Sequence, residues 1–304
     1  MTEAGETLQF IGLPEPFNYN ETISYLQRSP NEPLYQVEGD GIYRLIPTGS
    51  DEKPAAVEIR ESGDGGLLVR YISETQVSAE RQRKTEAFIR EWFDFDTDLR
   101  PFYEMARQDP LLSHTIDRLY GLRNVGIPDL FEALCWGIIG QQINLTFAYK
   151  LKQRFVESYG RSMELEGRTF WEFPSPEVIA ALQPEDMTAM QMSGKKSEYL
   201  IGVAGLMASG TLSKQMLMEL GDTGMIEKRL TSIRGIGPWT AHYALMRCLR
   251  LPDAFPIADV GLHNAIKTLI GSDAKPAISE IRRMAEGWKG WEAYATFYLW
   301  RMLY

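Results

Sequence analysis

The segment that most constrains the fold of this chain is LTSIRGIGPWTA, residues 230–241, which predicts a helix, a tight turn and a second helix. Gly235 and Gly237 flank one apolar residue, Ile236, and two glycines allow positive φ and expose backbone N–H groups without a Cβ in the way. Pro238 suits the first turn of the following helix, because the N–H it lacks would be unsatisfied there. Ile236 can then pack between the two helices and hold the hairpin closed.

The turn of this hairpin is a candidate phosphate-binding site. Its free amides and the N-terminus of the second helix would face outward together, and helix N-termini favour anions. Such a hairpin, predicted over residues 225–250, holds a DNA phosphate without reading base sequence. A bare pair of glycines is also typical of an ordinary helix–helix turn, so the longer string carries the argument. The predicted DNA contacts of the hairpin are Arg234, Gly235, Ile236, Gly237 and Thr240.

The net charge of the 304-residue chain is −9, which taken alone argues against a nucleic-acid partner. The charges are unevenly distributed, however, because residues 227–250 carry five basic residues and one acidic residue. A positive island on an acidic body is compatible with salt-sensitive docking on phosphate. A solvated helix face would look the same, so a metabolic helical protein that binds no DNA stays open on charge alone. The charged residues of the island are Lys228, Arg229, Arg234, Arg247 and Arg250 against Glu227.

Asp259 is the candidate catalytic carboxylate. It follows Gly237 by 22 residues, which is one helix and a loop, and it precedes the next helical stretch. In isolation it would be interpreted as an N-cap. After this hairpin, the loop would return Asp259 to the face of the turn, beside a base pocket. A non-catalytic DNA-binding module that uses the same hairpin has no need for a carboxylate near phosphate.

The fold class predicted from the hydrophobic pattern is α+β. Residues 1–105 predict a small antiparallel sheet domain with one helix at 78–93, because strand-like runs at 8–13, 41–46, 55–60 and 66–72 are separated by Gly, Asp and Ser. Residues 106–304 show helical periodicity, which predicts an all-α body of two lobes that contains the helix–hairpin–helix. Asp129 and Asn144 are the predicted caps of two of its helices.

Composition excludes several other classes of protein. Cys135 and Cys248, the two cysteines, lie far apart in apolar stretches, which argues against a disulfide framework or a four-cysteine cluster. No apolar run approaches the roughly 20 residues of a membrane span, and the polar N-terminus is not typical of a signal peptide. We therefore expect a cytoplasmic protein with no membrane partner. The histidines His114, His242 and His263 lack metal-ligand spacing.

These residues resemble the helix–hairpin–helix–Gly/Pro…Asp superfamily of DNA glycosylases, and within it the 3-methyladenine DNA glycosylase II family. The resemblance covers most of the chain and includes IIGQQIN at 138–144, MSGKKSEYL at 192–200 and GWEAYATFYLW at 290–300. It implies a monofunctional DNA glycosylase of base excision repair, a hydrolase that flips an alkylated purine and cuts its N-glycosidic bond to leave an abasic site. Asp259 would be the catalytic carboxylate.

The residue after Pro238 separates two chemistries within that superfamily. Members that also cut the strand carry a lysine there, which attacks the sugar as a Schiff-base nucleophile. This chain has Trp239, which implies base removal without strand cleavage. A bifunctional glycosylase-lyase acting on oxidised bases is the alternative.

The same resemblance places four aromatic residues around the flipped base: Tyr25, Trp239, Tyr243 and Trp300. Alkylation leaves a purine cationic, and stacked aromatic faces favour a cation by about 0.5–2 kcal/mol per contact. Such walls tolerate many base shapes, which implies broad specificity. Core packing is the other common fate of such aromatic residues.

The resemblance also implies a loop that enters the duplex and a site for an ion. Gln142 occupies the position where the family inserts an apolar wedge into the emptied base stack. The main-chain carbonyls of Thr231, Ile233 and Ile236 match positions that hold a monovalent cation, Na⁺ or K⁺, in family members. No other cofactor is required. The expected partner is double-stranded DNA that contains damaged bases, bound by a monomer.

Overall fold

The computed structural model describes residues 6–49 and 53–303, and within them the chain has an α+β fold. The strands are β1 (Leu8–Gly12), β2 (Tyr35–Glu38), β3 (Gly41–Ile46), β4 (Ala55–Ser62), β5 (Gly66–Tyr71), β6 (Arg161–Leu165) and β7 (Arg168–Glu172). The helices are α1 (Tyr19–Leu26), α2 (Ala79–Trp92), α3 (Arg100–Ala106), α4 (Ser113–Ile116), α5 (Leu130–Ile139), α6 (Leu145–Tyr159), α7 (Pro176–Ala180), α8 (Gly194–Ala208), α9 (Lys214–Glu219), α10 (Thr223–Thr231), α11 (Pro238–Arg247), α12 (Val260–Leu269), α13 (Ile278–Met284) and α14 (Glu292–Trp300). Short 3-10 segments lie at Pro184–Met190, Ala285–Trp288 and Arg301–Leu303.

The first five strands form one antiparallel sheet in the order β1-β5-β4-β3-β2. Strands β1, β3, β4 and β5 lie where the alternation of apolar residues predicts them. The sequence does not predict β2, because a run of four residues is too short for alternation to stand out. The helix predicted at 78–93 is α2, whose N-cap Ser78 accepts a hydrogen bond from the amide of Arg81.

The prediction of an all-α body is wrong at one segment, where β6 and β7 form a hairpin. Glu166 and Gly167 both have positive φ at its turn, as a tight two-residue hairpin turn requires. Phe170 of the hairpin packs in a small apolar cluster with Tyr43 and Leu45 of the large sheet. Each hairpin strand carries so few apolar residues that the period of a strand is hidden in the sequence.

A continuous hydrophobic core joins the sheet to the helices. It includes Tyr25 of α1, Phe131 of α5 and Phe297 of α14. Asp129 and Asn144 cap α5 and α6 as predicted, because each side chain accepts the amide three residues on. Since the core is continuous, α1 forms part of a wall of the helical body although it is N-terminal in sequence. The division into domains at 1–105 and 106–304 stays a prediction.

The described helices include none with both the length and the apolar character that crossing a bilayer would require. Cys135 and Cys248 are buried free thiols. Burial raises the pKa of Cys248 to about 12, so its thiol stays protonated and unreactive at neutral pH.

Candidate active site

A cavity of about 410 Å³ opens beside the hairpin, between α1, α6, α11 and α12. Its lining includes the predicted carboxylate, Asp259, and the four predicted aromatic residues, Tyr25, Trp239, Tyr243 and Trp300. The fold therefore brings together side chains that lie up to 275 positions apart in the sequence. A mostly apolar cavity that is lined by several aromatic side chains and one convergent carboxylate is the form expected of a small-molecule or base pocket.

Asp259 is both the N-cap of α12 and a polar group of the cavity. Its Oδ1 accepts hydrogen bonds from the amide of Leu262 at 2.7 Å and from Trp300 Nε1 at 2.8 Å. Its Oδ2 accepts one from Trp239 Nε1, also at 2.8 Å. Three donors fix the orientation of the carboxylate, and Oδ2 keeps a lone pair for a further partner because it accepts a single bond. The cap interpretation and the catalytic interpretation of Asp259 are therefore compatible.

Two indoles and a phenol follow one another along the wall of the cavity. The ring of Tyr243 lies 5.6 Å from that of Trp239 and 6.2 Å from that of Trp300, centroid to centroid, and the ring planes are tilted by 34° and 31°. Asp259 holds both indoles by their N–H groups, so the carboxylate also sets the position of the aromatic wall. Sequence reasoning assigns these residues to the pocket but does not reveal this linkage.

Tyr25 contributes less free ring surface than the other three aromatic residues. It is 2% exposed and packs against the ring of Phe297 at 4.9 Å. The guanidinium of Arg28 lies 3.8 Å from the centroid of its ring. One face of Tyr25 is thus covered by a cation, and the residue lines the cavity without presenting an open face for stacking.

The helix–hairpin–helix is formed by α10 and α11 with the turn between them. Gly235 has a φ of 95°, and a Cβ there would lie 2.2 Å from the ring of Tyr199. Ile236 is buried in the core at 4% exposure, as expected for a residue that closes the hairpin. Gly237 is the N-cap of α11 and provides no side-chain cap. Across the described residues, the amides of Gly235 and Gly237 make no hydrogen bond to the protein, so both are available to bind an anion.

We expect Gly235→Ala to weaken binding to undamaged duplex DNA by about tenfold or more, because an L-residue at this φ is strained and its methyl group would displace Tyr199. The measurement is fluorescence anisotropy with a labelled duplex at fixed salt. Gly202→Ala is the matched control, since Gly202 lies on the same helix as Tyr199 and a Cβ there meets nothing within 4 Å. Equal affinity of the Gly235→Ala and Gly202→Ala proteins for DNA would contradict the role of the turn.

Thr240 and Gln141 connect the hairpin to the neighbouring loop. Thr240 is 1% exposed, so the predicted DNA contact at this residue would come from its main-chain amide near the start of α11 and not from its side chain. Its hydroxyl accepts a hydrogen bond from Gln141 Nε2 at 3.2 Å, and the same nitrogen donates to the carbonyl of Gly235 at 2.9 Å. Sequence reasoning misses Gln141, which fixes the loop between α5 and α6 against the hairpin.

Gln142 lies in that loop with an exposed side chain and a φ of 57°. A left-handed backbone is uncommon outside glycine and marks a constrained position. Gln142 does not line the cavity, but Ile143 and Asn144 do. The loop therefore places Gln142 beside the cavity on the accessible side, where a residue that enters a duplex would have to lie.

The positive island is smaller than the sequence suggests. Arg247 is 3% exposed and donates to the carbonyl of Val125. Arg250 donates to main-chain carbonyls of Asn124 and Trp92. Both guanidinium groups therefore point into the protein, where they satisfy main-chain carbonyls that would otherwise lack a hydrogen-bond donor. Arg234 is largely exposed beside the turn and donates to Glu198 at 2.7 Å.

The carbonyls proposed to hold a monovalent cation lie at the end of α10 and in the turn. Thr231 is the last residue of α10, and the carbonyl of Ile233 accepts the amide of Ile236 at 3.0 Å. A carbonyl oxygen has a second lone pair, so this bond is compatible with an ion. Main-chain oxygens are suitable ligands for Na⁺ or K⁺, and groups of acidic, histidine or cysteine side chains that could hold another metal are absent from the described residues.

Sequence reasoning also misses two basic residues and a glycine at the cavity. Arg28 and Arg247 both line it. Each stands three or four residues after a pocket aromatic, Tyr25 or Tyr243, and that helical spacing is the signal that could have identified them. Gly261 is required by close packing, because a Cβ there would lie 2.9 Å from Oδ1 of Asp259.

Comparison with known proteins gives a consistent picture. Residues 135–292 match the family model described as HhH-GPD superfamily base excision DNA repair protein, and residues 25–134 match that of the 8-oxoguanine DNA glycosylase N-terminal domain. The chain is 50% identical over 295 residues to a DNA-3-methyladenine glycosylase of Bacillus subtilis, covering 97% of this chain and 96% of that protein. It is 33% identical over 180 residues to DNA-3-methyladenine glycosylase 2 of Escherichia coli, covering 59% of this chain and 60% of that protein. The fold is similar to that of a 3-methyladenine DNA glycosylase from Archaeoglobus fulgidus, with a TM-score of 0.78 at 23% identity and coverage of 96% of this chain and 97% of that one.

Proposed function

Because this chain belongs to the HhH-GPD superfamily of base excision DNA repair proteins, we propose that it is a DNA N-glycosylase that releases alkylated purines of the 3-methyladenine type from double-stranded DNA. The observation that carries the proposal is the position of Asp259, which two indoles hold at the edge of an aromatic cavity next to the hairpin. The enzyme acts as a monomer in the cytoplasm and leaves an abasic site.

Binding begins at the phosphate backbone in this proposal. The amides of Gly235 and Gly237 hold a phosphate near the lesion, and a cation on the nearby carbonyls, when bound, adds positive charge beside it. Gln142 enters the duplex while the damaged nucleotide turns into the cavity. Base flipping costs a few kcal/mol and least for a poorly stacked damaged base, which contributes to selectivity.

The chemical step needs one carboxylate. As the C1′–N bond breaks, its electron pair passes to the base and the sugar becomes oxocarbenium-like. Asp259 stabilises that positive charge electrostatically. Its Oδ2 accepts one hydrogen bond and keeps a lone pair, which accepts a proton from the water that bonds to C1′. An alkylated purine leaves as a neutral base, so no strong general acid is required.

In this proposal, Trp239 is the reason why the DNA strand is not cut. It stands where a strand-cutting relative would carry a lysine, and its indole is bonded to Asp259. Without an amine at this position, no Schiff base with the sugar can form.

The test is incubation of the protein with methylated duplex DNA, followed by chromatography of the free bases. We expect release of 3-methyladenine, with strand breaks appearing only after alkaline treatment of the abasic sites. Borohydride should trap no covalent protein–DNA adduct. Absence of base release would contradict the proposed activity, and a trapped adduct would support the glycosylase-lyase alternative.

A further inference from the structure

The carboxylate of Asp259 stands at the end of a segment that has no regular secondary structure. Residues 255–258 lead to Asp259 between α11 and α12 and contain neither helix nor strand. The amides of Ile257 and Asp259 donate to carbonyls two and three residues earlier, at Phe255 and Pro256. Such local bonds give the segment its shape but do not attach it to the rest of the protein.

This segment also lies against empty space. Asp259 at its end lines the base cavity, whereas residues 255–258 line a second cavity of about 380 Å³. Trp239 lines both cavities, so the two adjoin. Side chains that face a cavity lack partner atoms on that side, so packing alone holds the segment less firmly than a solid core would.

His242 of α11 attaches the beginning of the segment to the hairpin. Its Nδ1 accepts a hydrogen bond from the amide of Phe255 at 3.0 Å. Because a main-chain N–H can only donate, Nδ1 carries no proton and the neutral ring carries its proton on Nε2. That Nε2 lies 3.4 Å from Oε2 of Glu227 on α10. The imidazole therefore joins both helices of the hairpin to the segment that leads to Asp259.

His263 of α12 attaches the same segment from its other end. Its Nε2 lies 2.8 Å from the carbonyl oxygen of Ile257. Because a carbonyl can only accept, Nε2 of His263 carries a proton and donates. Among the described residues, these two imidazoles make the only hydrogen bonds between the main chain of residues 255–258 and the protein outside 251–259.

We propose that His242 and His263 are positioning residues that fix Asp259 at one distance from the phosphate-binding turn. This inference rests on the proposed glycosylase activity. A phosphate held by the hairpin sets where C1′ of the flipped nucleotide lies, so the carboxylate has to be held in the same frame. A displacement of about 1 Å can cost about 100-fold in rate. Neither imidazole lines the base cavity, so both act through the main chain.

The two hydrogen bonds use different ring nitrogens, and this difference gives opposite patterns of rescue. An asparagine amide reaches about as far as Nδ1 of histidine, and a glutamine amide about as far as Nε2. His242→Asn keeps an acceptor for the amide of Phe255, whereas His242→Gln does not. His263→Gln keeps a donor for the carbonyl of Ile257, whereas His263→Asn does not.

The experiment measures single-turnover base release from methylated duplex DNA at saturating enzyme. We expect the rate constant to fall about tenfold in His242→Gln and in His263→Asn, and to stay within about threefold of wild type in His242→Asn and in His263→Gln. Anisotropy should show DNA affinity within about threefold of wild type in all four variants, because the turn is unchanged. His114→Asn and His114→Gln, at an exposed position on α4, are the matched controls and should change neither quantity.

A second measurement reports the position of Asp259 without catalysis. The indole N–H groups of Trp239 and Trp300 both donate to this carboxylate, so their resonances in NMR spectra respond when it is displaced. We expect both resonances to move in His242→Gln and in His263→Asn. They should stay close to their wild-type positions in His242→Asn and in His263→Gln.

The outcomes separate this inference from the proposed function. If asparagine and glutamine act alike at either position, whether both are active or both defective, the inference is overturned, because the ring nitrogen would then not matter. Loss of base release without movement of the indole resonances would overturn it as well. A wild type that releases no base, although the resonances follow the expected pattern in the variants, would instead contradict the proposed function and leave the positioning of Asp259 supported.

Discussion

Asp259→Asn should lower base release from methylated duplex DNA by about 1,000-fold, because the amide can neither stabilise the positive sugar as an anion does nor accept a proton from water. Affinity for duplex DNA should stay within about threefold of the wild-type value, since the proposed phosphate contacts are those of the hairpin and not of Asp259. Single-turnover release of 3-methyladenine and anisotropy with an undamaged duplex are the two measurements. Asparagine is a good N-cap, so α12 should remain folded.

The asparagine variant also disturbs the aromatic wall, and a second variant separates the two effects. An amide presents N–H groups to one of the indoles that now donate to Asp259, so Trp239 or Trp300 must shift. Trp239→Phe removes one of those hydrogen bonds and keeps the carboxylate. If base release falls as far in Trp239→Phe as in Asp259→Asn, orientation of the wall explains the loss. Residual activity within about tenfold of wild type in Asp259→Asn would exclude the carboxylate from the mechanism.

Local chemistry made the hairpin and Asp259 predictable from sequence. A glycine with positive φ, a proline in the first helical turn and an aspartate at an N-cap each leave a signal at their own position, and Gly235, Pro238 and Asp259 have those conformations. The sheet was predictable in the same way, since alternation is a property of one strand. The aromatic residues were assigned to the pocket by resemblance, because an aromatic residue at helical spacing is equally typical of a core.

What depends on packing between distant elements could not be predicted. Arg28 follows the end of α1 and Arg247 is the last residue of α11. Each stands three or four residues after a pocket aromatic, but that spacing alone does not show that a basic side chain reaches a cavity. Arg247 even suggested a phosphate contact, although it is buried. The link from Gln141 to the hairpin joins residues 94 positions apart and has no local signature. The β6–β7 hairpin is stabilised by the sheet it covers, so its own sequence predicts it poorly.

A buried ion-pair cluster is formed by Lys152 with Glu32 and Glu132. Lys152 is 4% exposed, and its Nζ lies 2.9–3.0 Å from both oxygens of Glu32 and 2.9 Å from Oε1 of Glu132. Although burial lowers it, attraction by these two carboxylates raises the pKa of Lys152 above its usual range, so the amine is charged at neutral pH. The cluster connects the segment after α1 with α5 and α6.

Lys152→Met should lower the free energy of unfolding by about 3–5 kcal/mol at neutral pH, because it leaves two buried carboxylates without their shared cation. Chemical denaturation followed by tryptophan fluorescence measures the change, and Lys150→Met, an exposed lysine on the same helix, should change it by less than about 0.5 kcal/mol. Adding Glu132→Gln to Lys152→Met removes one of the two buried carboxylates that lose Lys152 as a partner and should recover part of the loss. If the double variant is no more stable than Lys152→Met, lost packing of the lysine side chain explains the effect better than unpaired charge does.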